Sequence, residues 1–93
     1  MRTTTDPITA ARAAALFVSD LSVTNEPTGA QVTAAIRSAL RGHGGTRACV
    51  ADVAAAYGDY PELAARRMRW ARRVIEQVYQ RPSLTRHHLA MAA

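Results

Sequence analysis

The chain has 93 residues, with twelve arginines, no lysine and seven acids, for a formal net charge of +5 and a sequence pI of about 10.7. That length sets a single domain, 1–93, with a modest core. A lone cysteine, Cys49, excludes an intramolecular disulfide and a cysteine-built zinc site, and the longest strongly apolar run, Ala13 to Val18, is far too short to span a bilayer.

Alanine is abundant and aromatics are few, a composition that favours helix over strand. Residues 1–6 read as a flexible start without the layout of a secretory signal, which makes the cytoplasm the expected location. Asp6-Pro7 then signals a helix start, an Asp N-cap with proline in the first turn. The spacing predicts a first helix from Pro7 to about Leu21, with Ala10, Ala14, Phe17 and Leu21 on one face and Ala11 and Val18 beside them. A loop follows to Pro27. Thr28-Gly29-Ala30-Gln31 has the form of a capping box, and the second helix would turn Val32, Ile36, Ala39 and Leu40 inward before stopping at Gly42-His43-Gly44-Gly45.

Thr46 is expected to cap a third helix with Cys49, Val50, Val53, Ala54 and Tyr57 toward the core and Gly58 at its end. Asp59-Tyr60-Pro61-Glu62 reads as a second capping box, opening a fourth helix that runs from Tyr60 to about Gln80. Arg81-Pro82 ends it, and residues 82–93 read as a frayed tail. The fourth helix carries a narrow apolar stripe of Ala64, Met68, Ala71, Ile75 and Val78, widened by Leu63, Trp70 and Val74. Glu62, Arg66, Arg69, Arg73, Gln77 and Gln80 fall opposite it, with Arg67 and Arg72 at the flanks.

Basic charge is concentrated late in the chain. Residues 1–28 hold two arginines against three acids, 29–58 hold three against one, and 59–81 hold six against three. Residues 46–73 read as helix, glycine turn, helix. Ala54 lies four residues before Gly58, as the small residue does in a helix-turn-helix, where it lets two helices approach and the glycine makes the turn. The second helix of that motif enters the major groove, where arginine forks suit phosphates and guanine edges. The match is imperfect: Asp59 stands where the motif is usually apolar, and the later apolar positions fit better one residue on, at Ala65 and Met68.

The segments Ala15-Leu16-Phe17-Val18-Ser19-Asp20-Leu21, Pro27 to Val32, Gly58-Asp59-Tyr60-Pro61-Glu62 and Arg67-Met68-Arg69-Trp70-Ala71 together resemble small uncharacterised helix-turn-helix-like proteins of high-GC actinobacteria. The resemblance covers roughly residues 14–78. It implies such a source and a shared helical fold, and it implies no mechanism.

The expectation is therefore an all-α, four-helix small domain: a three-helix, helix-turn-helix-like core over 28–80 plus an N-terminal helix. Arg47, Tyr60, Arg66, Arg67, Arg69 and Arg73 are the candidate contacts to duplex DNA, in a transcriptional regulator or a nucleoid-associated protein. A homodimer is expected, since one module gives limited affinity, with the first helix as its surface. The competing reading is a protein-interaction module that docks an acidic or helical partner. On the plainest reading the arginine face is solvated, with Glu62–Arg66, Arg72–Glu76 and Arg73–Glu76 pairing along the helix. Cys49 reads as a small buried hydrophobe and Trp70 as a packing or interface residue. No metal site is expected from His43, His87 and His88, no cofactor is called for, and no nucleophile sits beside a recognisable base, so an enzyme is not expected.

Overall fold

Asp6 begins the fold as its sequence predicts. In the computed structural model, which describes residues 6–24 and 26–80, its carboxylate accepts from the Thr9 backbone N–H at 2.8 Å and from the Thr9 hydroxyl at 2.9 Å. These bonds hold the Asp6 carboxyl below its ordinary value of 3.8. A carboxyl whose folded pKa is depressed stabilises the fold above the unfolded value and loses that contribution as pH falls through the folded one. The thermal midpoint of the wild type should therefore drop more steeply below about pH 4 than that of Asp6→Asn, whose neutral amide also caps. Parallel melting curves from pH 2 to 6 would show it, and superimposable pH profiles would contradict it.

Four α-helices follow: α1 (Pro7–Phe17), α2 (Gly29–His43), α3 (Thr46–Asp59) and α4 (Pro61–Ile75), the last continued by a π-helical segment, Glu76–Gln80. No helix among the described residues is long and apolar enough to cross a membrane. The expectations of a flexible start, a frayed tail and no metal site at His87 and His88 fall on residues 1–5 and 81–93, outside the described residues, apart from Asp6.

Helix α1 is the hub. It packs against α2, α3 and α4, and its five consecutive residues Ala13 to Phe17 are all buried. Five buried residues in a row mean that the C-terminal half of the helix is covered on every side, because a surface helix turns a polar stripe outward every 3.6 residues. Alanines at Ala13, Ala14, Ala15, Ala64 and Ala71 leave room for the neighbours to approach. This corrects the expectation that Phe17 belongs to a dimer surface on α1: Ala13 to Phe17 are already spent inside the monomer, while Ile8 and Ala10 in the first turns stay exposed.

Helix α1 is also shorter than expected, ending at Phe17 instead of near Leu21. The reason lies in α4. Arg67 Nε donates to the Phe17 carbonyl at 2.6 Å, and its Nη2 donates to the carbonyls of Ser19 at 3.0 Å and Leu21 at 2.9 Å. In a longer helix the Phe17 carbonyl would accept from the Leu21 N–H. Here the guanidinium takes that carbonyl, and the Leu21 N–H turns to the Ser19 hydroxyl at 3.3 Å.

The α2 boundaries follow local signals. Thr28 and Gln31 form the reciprocal capping box, with bonds of 2.8 and 3.1 Å. Gly44 closes the helix at φ 94°, a left-handed conformation that side chains oppose, and Gly45 follows at φ 108°. His43 Nδ1 pairs with Asp52 across this turn. Val32, Ile36 and Ala39 are buried as predicted, with Leu40 partly so.

Three expectations about the following helices need correction. Thr46 is the first helical residue of α3, not its cap; Gly45 holds that place with no side-chain bond. Asp59 is the last residue of α3, and Tyr60 alone both ends α3 and precedes α4, so the second capping box does not form. Gly58 stays helical without a positive φ, and the turn is made by Tyr60 at φ −142°, ψ 67°. The buried side of α3 is also narrower than predicted: Cys49 is fully buried, Val53 and Ala56 pack on the core, but Val50 and Ala54 are exposed.

At the other end of the core, the Tyr79 hydroxyl lies 2.8 Å from Thr33 Oγ1, and Arg12 sits 3.9 Å over the Tyr79 ring. These contacts tie the π-helical segment to α1 and α2.

Candidate nucleic-acid interface

The arginines of α4 divide by helical geometry. At about 100° per residue, Ala64, Ala71 and Ile75 centre the buried side, while Arg66, Arg69, Arg72 and Arg73 share an arc of roughly 120° on the other, over a rise of about 10 Å. All four are exposed. Among the described residues the only ion pair is His43–Asp52, so the Glu62–Arg66, Arg72–Glu76 and Arg73–Glu76 pairs of the plainest reading do not form. Four guanidiniums therefore stand on one face without a salt bridge among the described residues, with exposed Glu62 and Glu76 on the same arc.

Arg67 does not belong with them. Its three bonds, to the last carbonyl of α1 and to two carbonyls of the loop after it, turn it inward, and its guanidinium lies 4.8 Å over the Trp70 ring and 5.9 Å over Phe17. Burial lowers its pKa from the ordinary value, but a guanidinium remains protonated in any such setting. Its role is to cap α1, which corrects its assignment as a DNA contact. Trp70, only 4% exposed, is a core residue.

Arg47 is exposed in the first turn of α3. Tyr60 is exposed too, but thirteen residues of helix, roughly 20 Å of rise, separate the two. They do not converge on one spot. Tyr60 lies nearer the α4 arginines, and the first turn of α4 also carries the exposed acid Glu62, just after exposed Asp59. The basic centre thus begins in the second turn of α4, not at its N-terminus. Arg72, given only a flanking place in the sequence reading, completes it; its i+3 spacing from Arg69 was the available signal.

Two further features frame the site. Apolar side chains gather at the α3–α4 turn: Tyr57, Tyr60 and Leu63 are exposed, and Tyr57 stacks on Phe17 with ring centroids 6.4 Å apart. Leu63, expected to widen the buried stripe, is 60% exposed. A cleft of 310 Å³ lies between the α1–α2 loop and the end of α2, reached by Ser19, Asp20, Ser38 and His43. No hydrogen bond joins either serine to His43 among the described residues. Cys49 is buried, its Sγ 3.9 Å from the Ala39 carbonyl, and burial raises its thiol pKa, so it packs as the small hydrophobe expected.

Comparison of the chain with protein-family models, with curated proteins and with solved structures returns no match.

Proposed function

We propose that this protein binds duplex DNA along its phosphate backbone, in the manner of a nucleoid-associated protein, with Arg66, Arg69, Arg72 and Arg73 as the contacts. The observation that carries this reading is the run of four exposed guanidiniums on one face of α4, none of them in an ion pair among the described residues although Glu62 and Glu76 share that face. Planar arginine forks suit phosphate oxygens, and each phosphate they neutralise releases condensed counterions.

The position of the face separates backbone binding from base reading. A helix-turn-helix reader places the N-terminal residues of its second helix against base edges. Here the first turn of α4 carries Glu62, with Asp59 at the end of α3 just before it, acids that repel phosphate, while the arginines lie one to three turns further along. A sequence-reading transcriptional regulator is thus less well supported than a protein that coats DNA with little sequence preference. The competing reading, an adaptor for an acidic or helical protein, draws on the exposed apolar side chains at the α3–α4 turn and predicts no affinity for duplex DNA.

Fluorescence anisotropy with a random-sequence duplex tests the assignment. The variant with Arg66, Arg69, Arg72 and Arg73 all replaced by alanine should bind at least about 100-fold more weakly than wild type at low salt, with an unchanged helical circular-dichroism spectrum. Replacing the α2 arginines, Arg37 and Arg41, should cost only a few-fold. Quadruple-variant binding within threefold of wild type would remove these residues from the site.

A further inference from the structure

The cleft between the α1–α2 loop and the end of α2 has both of its walls pinned by distant parts of the chain. On one wall Asp20 stands between Ser19 and Leu21, whose carbonyls both accept from Arg67 Nη2, at 3.0 and 2.9 Å. The Ser19 hydroxyl fixes the same turn by donating to the Leu16 carbonyl at 2.6 Å. On the other wall His43 Nδ1 pairs with Asp52 of α3. A cleft whose walls are already ordered does not have to be ordered by its ligand. Its volume of 310 Å³ falls at the lower end of the roughly 300–1,000 Å³ of small-molecule sites.

The lining selects the chemistry of the ligand. Partly buried Val18 and Leu21 and buried Ala39 give the cleft an apolar floor. Above it Asp20 and Ser38 are exposed, and neither side chain has a hydrogen bond or ion pair among the described residues. The Asp52 carboxylate only accepts, so His43 Nδ1 donates to it, and the neutral ring keeps Nε2 as an acceptor. Gly42 and His43 also bring the C-terminal end of α2 to the cleft, where carbonyls beyond the reach of helical N–H groups carry partial negative charge. In a chain of net charge +5, no arginine among the described residues lines this cleft, and Asp20 is its one carboxylate. Acceptors over an apolar floor call for a ligand that brings donors, positive charge and a short apolar body. An ammonium has three donors and no acceptor.

We propose that this cleft binds a small organic cation, a primary ammonium on a short alkyl chain, with the ammonium at Asp20 and the chain along Val18, Leu21 and Ala39. The site does not rest on DNA binding, and the two can fail separately.

Titration with n-butylammonium, followed by amide NMR shifts, tests it at about pH 7.5, where an alkylamine is charged and an ordinary imidazole is neutral. The amides of Asp20, Ser38 and His43 should shift saturably with a Kd on the order of millimolar, within reach of so small a ligand. The neutral isostere n-butanol should bind at least about tenfold more weakly, because it lacks the charge-assisted bond. Asp20→Asn should lose about tenfold in butylammonium affinity, leave n-butanol binding as it was and keep its helicity, since Asp20 makes no bond within the fold. Shifts that do not saturate or that scatter over the surface, n-butanol binding as tightly as butylammonium, or Asp20→Asn binding butylammonium like wild type would each overturn the proposal.

Discussion

Arg67→Met should lower the stability of the domain by about 2–3 kcal/mol, although it removes no buried apolar atom. Hydrogen bonds to charged groups contribute roughly 1.5–3 kcal/mol each, and the loss is discounted because water can reach part of this site. Methionine keeps much of the stem that packs against Trp70 and Phe17, while the carbonyls of Phe17, Ser19 and Leu21 lose their donor. At about 4–8 °C per kcal/mol for a domain of this size, the melting midpoint should fall by about 8–24 °C. Arg67→Lys should recover little of this, since an ammonium does not reproduce the fork that reaches three carbonyls. A thermal melt of the three proteins checks it; a methionine variant as stable as wild type would show that the guanidinium contributes packing and nothing more. Wherever the variant remains folded, its salt dependence of DNA binding should match wild type, because Arg67 lies outside the exposed face.

The second large effect belongs to Leu16, fully buried in the last turn of the hub helix. Leu16→Ala should cost about 3–4 kcal/mol, the sum of lost transfer free energy and the cavity left behind. Three helices press on α1, so no single neighbour can collapse into the space without leaving another. In a domain whose whole stability is on the order of 5–15 kcal/mol, that is enough to bring partial unfolding within reach of modest urea. Urea titration would reveal a lowered midpoint at unchanged slope. A variant within 1 kcal/mol of wild type would mean that α1 is less enclosed than its burial indicates.

These two residues also mark where the sequence was readable and where it was not. Signals acting within four residues were legible: the Asp6 cap, the Thr28–Gln31 box, the Gly44 stop and the apolar stripe of α4 through Ala64, Ala71 and Ile75. Each is a local bond or a helical period, and each appears in place. The contact between Arg67 and Phe17 spans fifty residues, and no local pattern reports it. That one contact shortens α1 and takes an arginine from the expected DNA site. Likewise, periodicity says that Ala14 and Phe17 are inward but not that Ala13 to Phe17 are enclosed on all sides, which depends on how many helices gather round. Gly58 was read as a turn because glycine permits one, yet the chain turned two residues later, at Tyr60. Leu63 was read as core because it is apolar; its exposure follows from lying at the edge of α4 just after that turn, where no neighbouring helix covers it.

Within the candidate site, the exposed positions of Arg66, Arg69 and Arg73 were visible from spacing, since they lie opposite the apolar stripe. Their lack of carboxylate partners was not visible, because Glu62 and Glu76 stand at pairing distance in sequence and stay apart in the fold.

The most direct measurement of the central claim is the salt dependence of duplex binding. With four phosphates neutralised per protomer, the logarithm of the association constant should fall against the logarithm of salt with a slope of about −3.6 for each protomer engaged. The quadruple alanine variant should show almost no slope. Absence of binding at low salt, or a wild-type slope near zero, would contradict the account and leave the α4 face to a protein partner.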